Sequence, residues 1–273
     1  MKSFPAELGL MALGHLRDDS ESLSACTLVC HEWVPLARHY LFAALDAELP
    51  PPPSQDLIRL PQSIAELASG ISARGPYLNE LRIHTPLRKK SEPGVLQHSI
   101  IFHLVKNLPK LQALRLQDIS IVHNEFNEVP SGLSIDTLEL SFGERLVDRP
   151  VASTITVLKL FSNVKNLSVV IQHKGRDKKE QQTQILPVQQ IEHFELDATV
   201  TQLCLLQGTI HSQSVIGTVA LQPHMETWNE VVELGPIIQS MSSRLVSLKL
   251  APGLPSSRRR PFTLFFHYVR HGC

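Results

Sequence analysis

The chain has 273 residues, 42% of them apolar, and its 26 basic residues balance its 26 acidic residues. This length can bury one large core, or a small domain beside a larger one. Because the formal charge is zero, no overall field attracts the chain to nucleic acid or to an anionic membrane, and we expect neither partner. The four cysteines are too few and too unevenly placed for a disulfide framework, which favours the cytoplasm or the nucleus.

The apolar stretch from Phe4 to Leu16 follows Lys2, as in a secretory signal, but it contains Glu7 and no small-residue cleavage pattern follows it. Nowhere does a window reach the roughly 18 uncharged apolar residues that a membrane-spanning helix needs. The sequence therefore predicts a soluble, uncleaved chain.

Residues 3 to 46 predict three short helices. Pro5 suits the first turn of a helix, and Leu8, Leu13 and Leu16 then recur at roughly helical spacing. About 44 residues of short helices bury little core on their own. This segment therefore predicts a small unit that cannot bury all of its apolar surface by itself.

Asp18 and Glu21 resemble the capping pair of a second helix. We expect that helix to end near Trp33 and Pro35 to open a third one. The apolar residues of the second helix are Leu23, Leu28 and Val29.

A run of four prolines, Pro50 to Pro53, can sustain neither helix nor sheet pairing. We therefore expect a helical unit over residues 1–46, a stiff proline-rich linker over 47–60 and a larger domain over 61–273.

The larger domain repeats the pattern L-x-x-L-x-L, allowing any aliphatic residue or Phe, seven times at intervals of 20 to 36 residues. The matches are Leu78/Leu81/Ile83, Leu111/Leu114/Leu116, Ile135/Leu138/Leu140, Ile155/Leu158/Leu160, Ile191/Phe194/Leu196, Ile216/Val219/Leu221 and Leu245/Leu248/Leu250. Positions 4 and 6 share one face of a strand and position 5 points the other way. For the fourth match, Val164, Leu167 and Val169 offer a competing register.

Between the matches lie three helix candidates, Ser63 to Ala73, Val95 to Leu108 and Val231 to Met241. The pattern predicts an α/β fold in which parallel strands joined by outer helices and loops form a leucine-rich-repeat solenoid. An unrelated α/β domain is the alternative, since a three-position aliphatic pattern also arises by chance.

Two polar segments are predicted loops, Gln172 to Gln184 and Ser256 to Pro261. The second contains three consecutive arginines, which suit a solvated loop, or alternatively a nuclear-import or RNA-binding signal. The apolar segment Phe262 to Val269 is either a terminal cap of the solenoid or a sign that the solenoid is incomplete.

Residues 4 to 42 carry a more specific pattern: F-P-A-E-L-G-L-M-A-L-G-H-L, a polar break, then L-S-A-C-T-L-V-C-H-E-W-V-P-L-A-R-H-Y-L-F. This segment resembles an F-box, and the downstream plan is similar to fungal F-box proteins with irregular leucine-rich repeats. It departs from the family at Phe4 and Ala12, and at Gly9 and Gly14, each of which costs the first helix up to about 1 kcal/mol relative to Ala.

The resemblance implies a substrate-receptor subunit of a ubiquitin ligase, whose F-box docks on a Skp-type adaptor and through it on a cullin, while the repeats hold a protein substrate. Carried over by position, the residues for adaptor contact or its support are Pro5, Leu8, Leu13, Leu16, Leu28, Val29 and Trp33. The sequence leaves open which of them contact the adaptor and which hold the three helices together.

On the repeats, the fifth-position residues are the predicted substrate face, on the inner, concave side of the solenoid. They are Arg82, Arg115, Glu139, Lys159, Glu195 and Lys249. Solvent-exposed strand positions are commonly charged in any case, so these residues could alternatively be surface residues with no role in substrate binding.

No catalytic residue, metal or cofactor is predicted. His31-Glu32 begins like a zinc-protease helix, but the residue four places after His31 is Pro35. Cys26 and Cys30 near His31 could hold a metal, although the F-box pattern explains both as small buried residues. A non-catalytic leucine-rich scaffold that binds the adaptor outside a ligase is the alternative to the receptor.

Overall fold

The computed structural model describes residues 5–49, 61–86, 94–122, 132–143, 150–172, 190–199, 215–224, 247–250 and 264–266. Over these ranges the protein is mixed α/β, with six α-helices and a mostly parallel sheet, which confirms the α/β part of the predicted fold. The helices are α1 (Ala6–Gly14), α2 (Ser20–Cys26), α3 (Trp33–Leu41), α4 (Gln62–Ala68), α5 (His98–Asn107) and α6 (Pro150–Leu158), with a 3-10 turn η1 over Gly75–Tyr77. The tetraproline run, both predicted loops after residue 172 and the helix candidate at 231–241 lie outside the described residues.

The three N-terminal helices pack around a small apolar cluster of their own. Leu13 of α1, Leu23 of α2 and Ala37 of α3 are buried at its centre. Partly buried side chains surround these three: Leu16, Cys26, Trp33, Leu36, Tyr40 and Leu41. The prediction of three short helices before the proline run is therefore confirmed.

The N-cap of α2 is Asp19 rather than the predicted Asp18. Its Oδ1 accepts the Ser22 amide at 3.0 Å and its Oδ2 accepts the Ser22 hydroxyl at 2.6 Å. These bonds, the hydroxyl first and the amide second, hold the pKa of the Asp19 carboxyl below its ordinary value. The cap lies one residue later because only there does the carboxylate reach the third residue of the helix.

The second helix ends at Cys26, earlier than the predicted Trp33. Beyond it the chain continues in tight turns, with the Leu28 amide donating to Ala25 O at 3.0 Å and the Val29 amide to Cys26 O at 3.2 Å. Leu28 and Val29 therefore lie in the connection between α2 and α3 and not on a helix.

Nine of the described strands form one sheet in the order β1-β2-β4-β6-β7-β8-β9-β10-β11. They are β1 (Ala44–Glu48), β2 (Glu80–His84), β4 (Ala113–Gln117), β6 (Leu133–Phe142), β7 (Phe161–Ile171), β8 (Gln190–Thr199), β9 (Val215–His224), β10 (Ser247–Leu250) and β11 (Leu264–Phe266). All neighbours are parallel except β10 and β11, which are antiparallel. Two short strands, β3 (Gly94–Gln97) and β5 (Ile119–Val122), form a separate parallel pair.

The apolar positions of the repeat align across the sheet. The fourth-position row contains Leu81, Leu114, Leu138, Leu167 and Phe194, and the sixth-position row Ile83, Leu116, Leu140, Val169 and Leu196. All ten side chains are buried, in one core shared with helices α4, α5 and α6. The alternation of buried and wet positions thus places the helices against one face of the sheet and leaves the other face polar.

The fourth predicted match of the repeat is wrong as a strand. Ile155 and Leu158 belong to helix α6, and Leu160 follows it in a turn. Two apolar residues three apart fit one face of a helix as well as the start of the strand pattern, and Pro150 suits a first helical position. The strand that follows, β7, uses the competing register of Val164, Leu167 and Val169.

Buried polar groups link the ends of β2 and β4 to the start of β3. The Thr85 hydroxyl donates to Asp118 O at 2.7 Å and accepts the Gly94 amide at 2.8 Å. Asp118, at a φ of 55°, accepts the Gly143 amide on Oδ1 at 2.5 Å. These bonds satisfy backbone groups that would otherwise be buried without partners, after the ends of β2, β4 and β6 and at the start of β3.

The helical unit joins the sheet before the proline run. Only Phe42 and Ala43 separate α3 from β1, and Ala43 O accepts the amides of Asn79 and Glu80 at 2.8 and 2.9 Å. Arg74 lies over the Phe42 ring, with its Cζ 5.4 Å from the centroid. The predicted boundary at residue 46 therefore falls inside β1, and the prolines follow a strand that is already paired.

Candidate functional site

The residues predicted for the adaptor surface divide into two groups. Leu13 is buried, and Leu16 and Trp33 are partly buried against it, so these three support the helical unit. Pro5 is exposed, and Leu8, Leu28 and Val29 expose 49%, 87% and 67% of their surface. Four of the seven predicted residues are therefore available for contact.

Met11 is a further exposed apolar residue that the motif did not single out. It exposes 67% of its surface and lies three residues after Leu8 on α1. Residues three apart lie side by side on a helix, so Leu8 and Met11 form one apolar patch. Helical spacing alone could have found it, whereas the family pattern leaves that position free.

Glycine at the end of α1 has a packing role. A Cβ on Gly14 would lie 3.2 Å from the Tyr40 hydroxyl, which donates to Leu10 O at 3.0 Å. Gly14 is expected to lower the stability of α1 relative to Ala, but its missing side chain leaves room for Tyr40 of α3 to pack close to the helix. Gly9 is buried on the same helix.

The two N-terminal cysteines differ in environment. Cys26 is partly buried beside the small apolar cluster, whereas Cys30 is exposed, so the expectation that both are buried is wrong for Cys30. Cys30 follows the early end of α2 and so lies in the solvated turn. Within the described ranges, no group of three or more His, Cys, Asp or Glu side chains is placed to hold a metal ion.

Five of the six predicted substrate-face residues fall in a single row across the strands. The row runs Asp46, Arg82, Arg115, Glu139, Ser168, Glu195, Ala220 and Lys249. Lys159 is not among them, because the fourth repeat match is a helix. It follows α6 in a turn, where partial burial lowers the pKa of its ammonium group.

Along the N-terminal half of this row the charges are paired with one another. Arg115 Nε lies 2.9 Å from Glu80 Oε1 and its Nη1 3.1 Å from Glu139 Oε2. Arg82 Nη2 lies 3.5 Å from the same Glu80 oxygen and its Nη1 3.9 Å from Asp46 Oδ2. We call these five residues the ion-pair ladder.

Sequence reasoning missed two members of the ion-pair ladder, Asp46 and Glu80, and their neighbour His84, whose Nδ1 lies 2.8 Å from Asp46 Oδ1. Glu80 and His84 flank Arg82 at two residues, so strand alternation places all three on one face. Asp46 had no such signal, since β1 lies before the first repeat match.

No family model matches the chain, and neither a curated protein nor a solved structure is detectably similar to it. Among the described helices, none combines the length and apolar character of a membrane span.

Proposed function

We propose that this protein is a substrate-receptor subunit of a Skp/cullin/F-box ubiquitin ligase, with α1 to α3 as the F-box. The observation that carries the proposal is a set of exposed apolar side chains on the three-helix unit, which already has a small buried apolar cluster of its own. The exposed residues are Leu8, Met11, Leu28 and Val29. Apolar side chains that a folded unit leaves in water favour a partner that covers them. Three of the four stand at the motif positions quoted above.

The sheet and its helices are proposed to form a leucine-rich-repeat solenoid. Strands β1, β2, β4 and β6 to β10 are parallel, and each pairs with the next in the order given above, which supports this proposal. The buried rows recur at the same repeat positions from strand to strand, as expected when each unit covers its neighbour. The polar face would then receive the substrate.

The receptor would act by proximity and would contribute no catalytic group. A substrate held on the sheet beside the ligase machinery presents its lysines at a raised effective concentration. The short junction between α3 and β1 suits this role, because it fixes the helical unit close to the sheet.

Adaptor binding tests the F-box assignment with a matched pair of variants of the full chain. Leu28→Lys and Ile71→Lys introduce the same charge at side chains that are 87% and 75% exposed, the first on the helical unit and the second near α4. We expect Leu28→Lys to weaken binding to a purified Skp-type adaptor about tenfold or more, since one buried aliphatic side chain contributes roughly 1.5–3 kcal/mol. Ile71→Lys should stay within about twofold.

Equal losses in the two variants, or no adaptor binding by the unmodified chain, would contradict the assignment. Co-purification then separates the two roles left open by the sequence. Recovery of adaptor with cullin supports the receptor, and recovery of adaptor alone supports a scaffold.

A further inference from the structure

On strands β1, β2, β4 and β6, both arginines of the polar sheet face are already engaged within the chain. Each arginine of the ion-pair ladder contacts two carboxylates, Arg82 those of Asp46 and Glu80, and Arg115 those of Glu80 and Glu139. Arg82 and Arg115 are also only 43% and 35% exposed. A partner that needed these guanidinium groups would have to compete with carboxylates that are covalently part of the same sheet.

The negative charges are in excess on the same face. The ion-pair ladder has three carboxylates for two guanidinium groups, and it ends in a carboxylate at both ends, Asp46 and Glu139. Glu48 is exposed, lies two residues after Asp46 and therefore shares its face of β1. These six residues have a formal charge of −2.

The ion pairs of the two glutamates with the arginines each involve one carboxylate oxygen. Glu80 contacts both arginines through Oε1, and Glu139 contacts Arg115 through Oε2. A carboxylate accepts several hydrogen bonds and donates none, so the face favours a partner that supplies charged donors.

We propose that the polar face of strands β1, β2, β4 and β6 binds a basic segment of its partner protein, one rich in lysine and arginine. The inference rests on the proposed function only in taking this face as the substrate side, and it deepens that function by giving the charge of the substrate. Arg82 and Arg115 then neutralise part of the carboxylate charge and are not the capturing groups. A lysine-rich segment also brings acceptor lysines for ubiquitin to the receptor.

Peptide binding to the full chain tests the charge of the partner. The probes are an octameric lysine-rich peptide and an octameric glutamate-rich peptide of matched length, each fluorescently labelled and followed by anisotropy. We expect the lysine-rich peptide alone to bind, with an affinity that falls as salt rises. Glu80→Gln combined with Glu139→Gln should weaken this binding about fivefold or more.

Two further variants make the outcome specific to the sheet face. Glu7→Gln combined with Glu32→Gln removes the same charge from exposed positions of the helical unit and should leave peptide affinity within about twofold. Arg82→Gln combined with Arg115→Gln should preserve or strengthen binding of the lysine-rich peptide. This last variant tests the inference even if the glutamate variant fails to fold.

Binding of the glutamate-rich peptide that is lost on removal of the arginines would overturn the inference, as would absence of lysine-rich peptide binding. Equal weakening by the two double glutamate-to-glutamine variants, on the sheet and on the helical unit, would overturn it as well. The attraction would then come from the overall charge of the protein and not from the sheet face. Adaptor binding is measured separately, so a chain that binds the basic peptide and no adaptor would refute the ligase role and leave the inference standing.

Discussion

Truncation of Leu138 tests whether the repeat pattern defines the core. Leu138 lies on β6 between Leu114 and Leu167 in the register of neighbouring strands, and none of its surface is exposed. Leu→Ala at a closely packed site removes transfer free energy and leaves a cavity, at a cost of about 2–5 kcal/mol. Since strands with further buried side chains flank this site on both sides, we expect the loss to be about 3 kcal/mol.

Urea denaturation followed by circular dichroism measures the loss, with the slope of the transition compared between variants. The control is Ser168→Ala, a truncation at a wet position of the next strand, which should change the free energy of unfolding by no more than about 0.5 kcal/mol. A loss below about 1 kcal/mol for Leu138→Ala, or an equal loss for Ser168→Ala, would refute the assignment of faces.

Three further outcomes are expected. Thr85→Val removes the hydroxyl between Gly94 N and Asp118 O and should lower the free energy of unfolding by about 1–3 kcal/mol, whereas Thr137→Val on the polar face should cost far less in the same urea assay. Because Ser22 holds the pKa of Asp19 below 3.8, the contribution of this cap to stability is full above that value and is lost as the pH falls through the lowered pKa. An NMR titration of the Asp19 carboxyl should show a midpoint that Ser22→Ala shifts back up. A midpoint that Ser22→Ala leaves unshifted would contradict the cap. Inserting Gly-Ser-Gly-Ser after Phe42 should speed hydrogen exchange of the Asn79 and Glu80 amides, which donate to Ala43 O. The Thr137 amide, which donates to Gln112 O, should keep its protection. Unchanged exchange at all three amides would show that the short junction between α3 and β1 is not needed to protect Asn79 and Glu80.

Local periodicity in the sequence determined much of the fold. The spacing of Leu81 and Ile83, or of Leu138 and Leu140, predicts buried rows, because a strand places alternate side chains on the same side. The same rule places Arg82, Arg115, Glu139 and Glu195 together in one polar row. Periodicity fails at Ile155 and Leu158, where a spacing of three satisfies a helix as readily as the strand motif.

The tertiary structure decided what depends on neighbours distant in the chain. Leu13 and Leu28 both stand at apolar positions of the sequence motif, yet only the packing of three helices buries the first and exposes the second. Glu80 and Arg115 are 35 positions apart in the sequence and form an ion pair only because β2 and β4 are adjacent. The sequence by itself therefore determined which strand positions alternate between core and solvent, since backbone geometry imposes that alternation locally. Burial within the helical unit, the fold of the fourth match and the pairing of charges were fixed only when strands and helices came together.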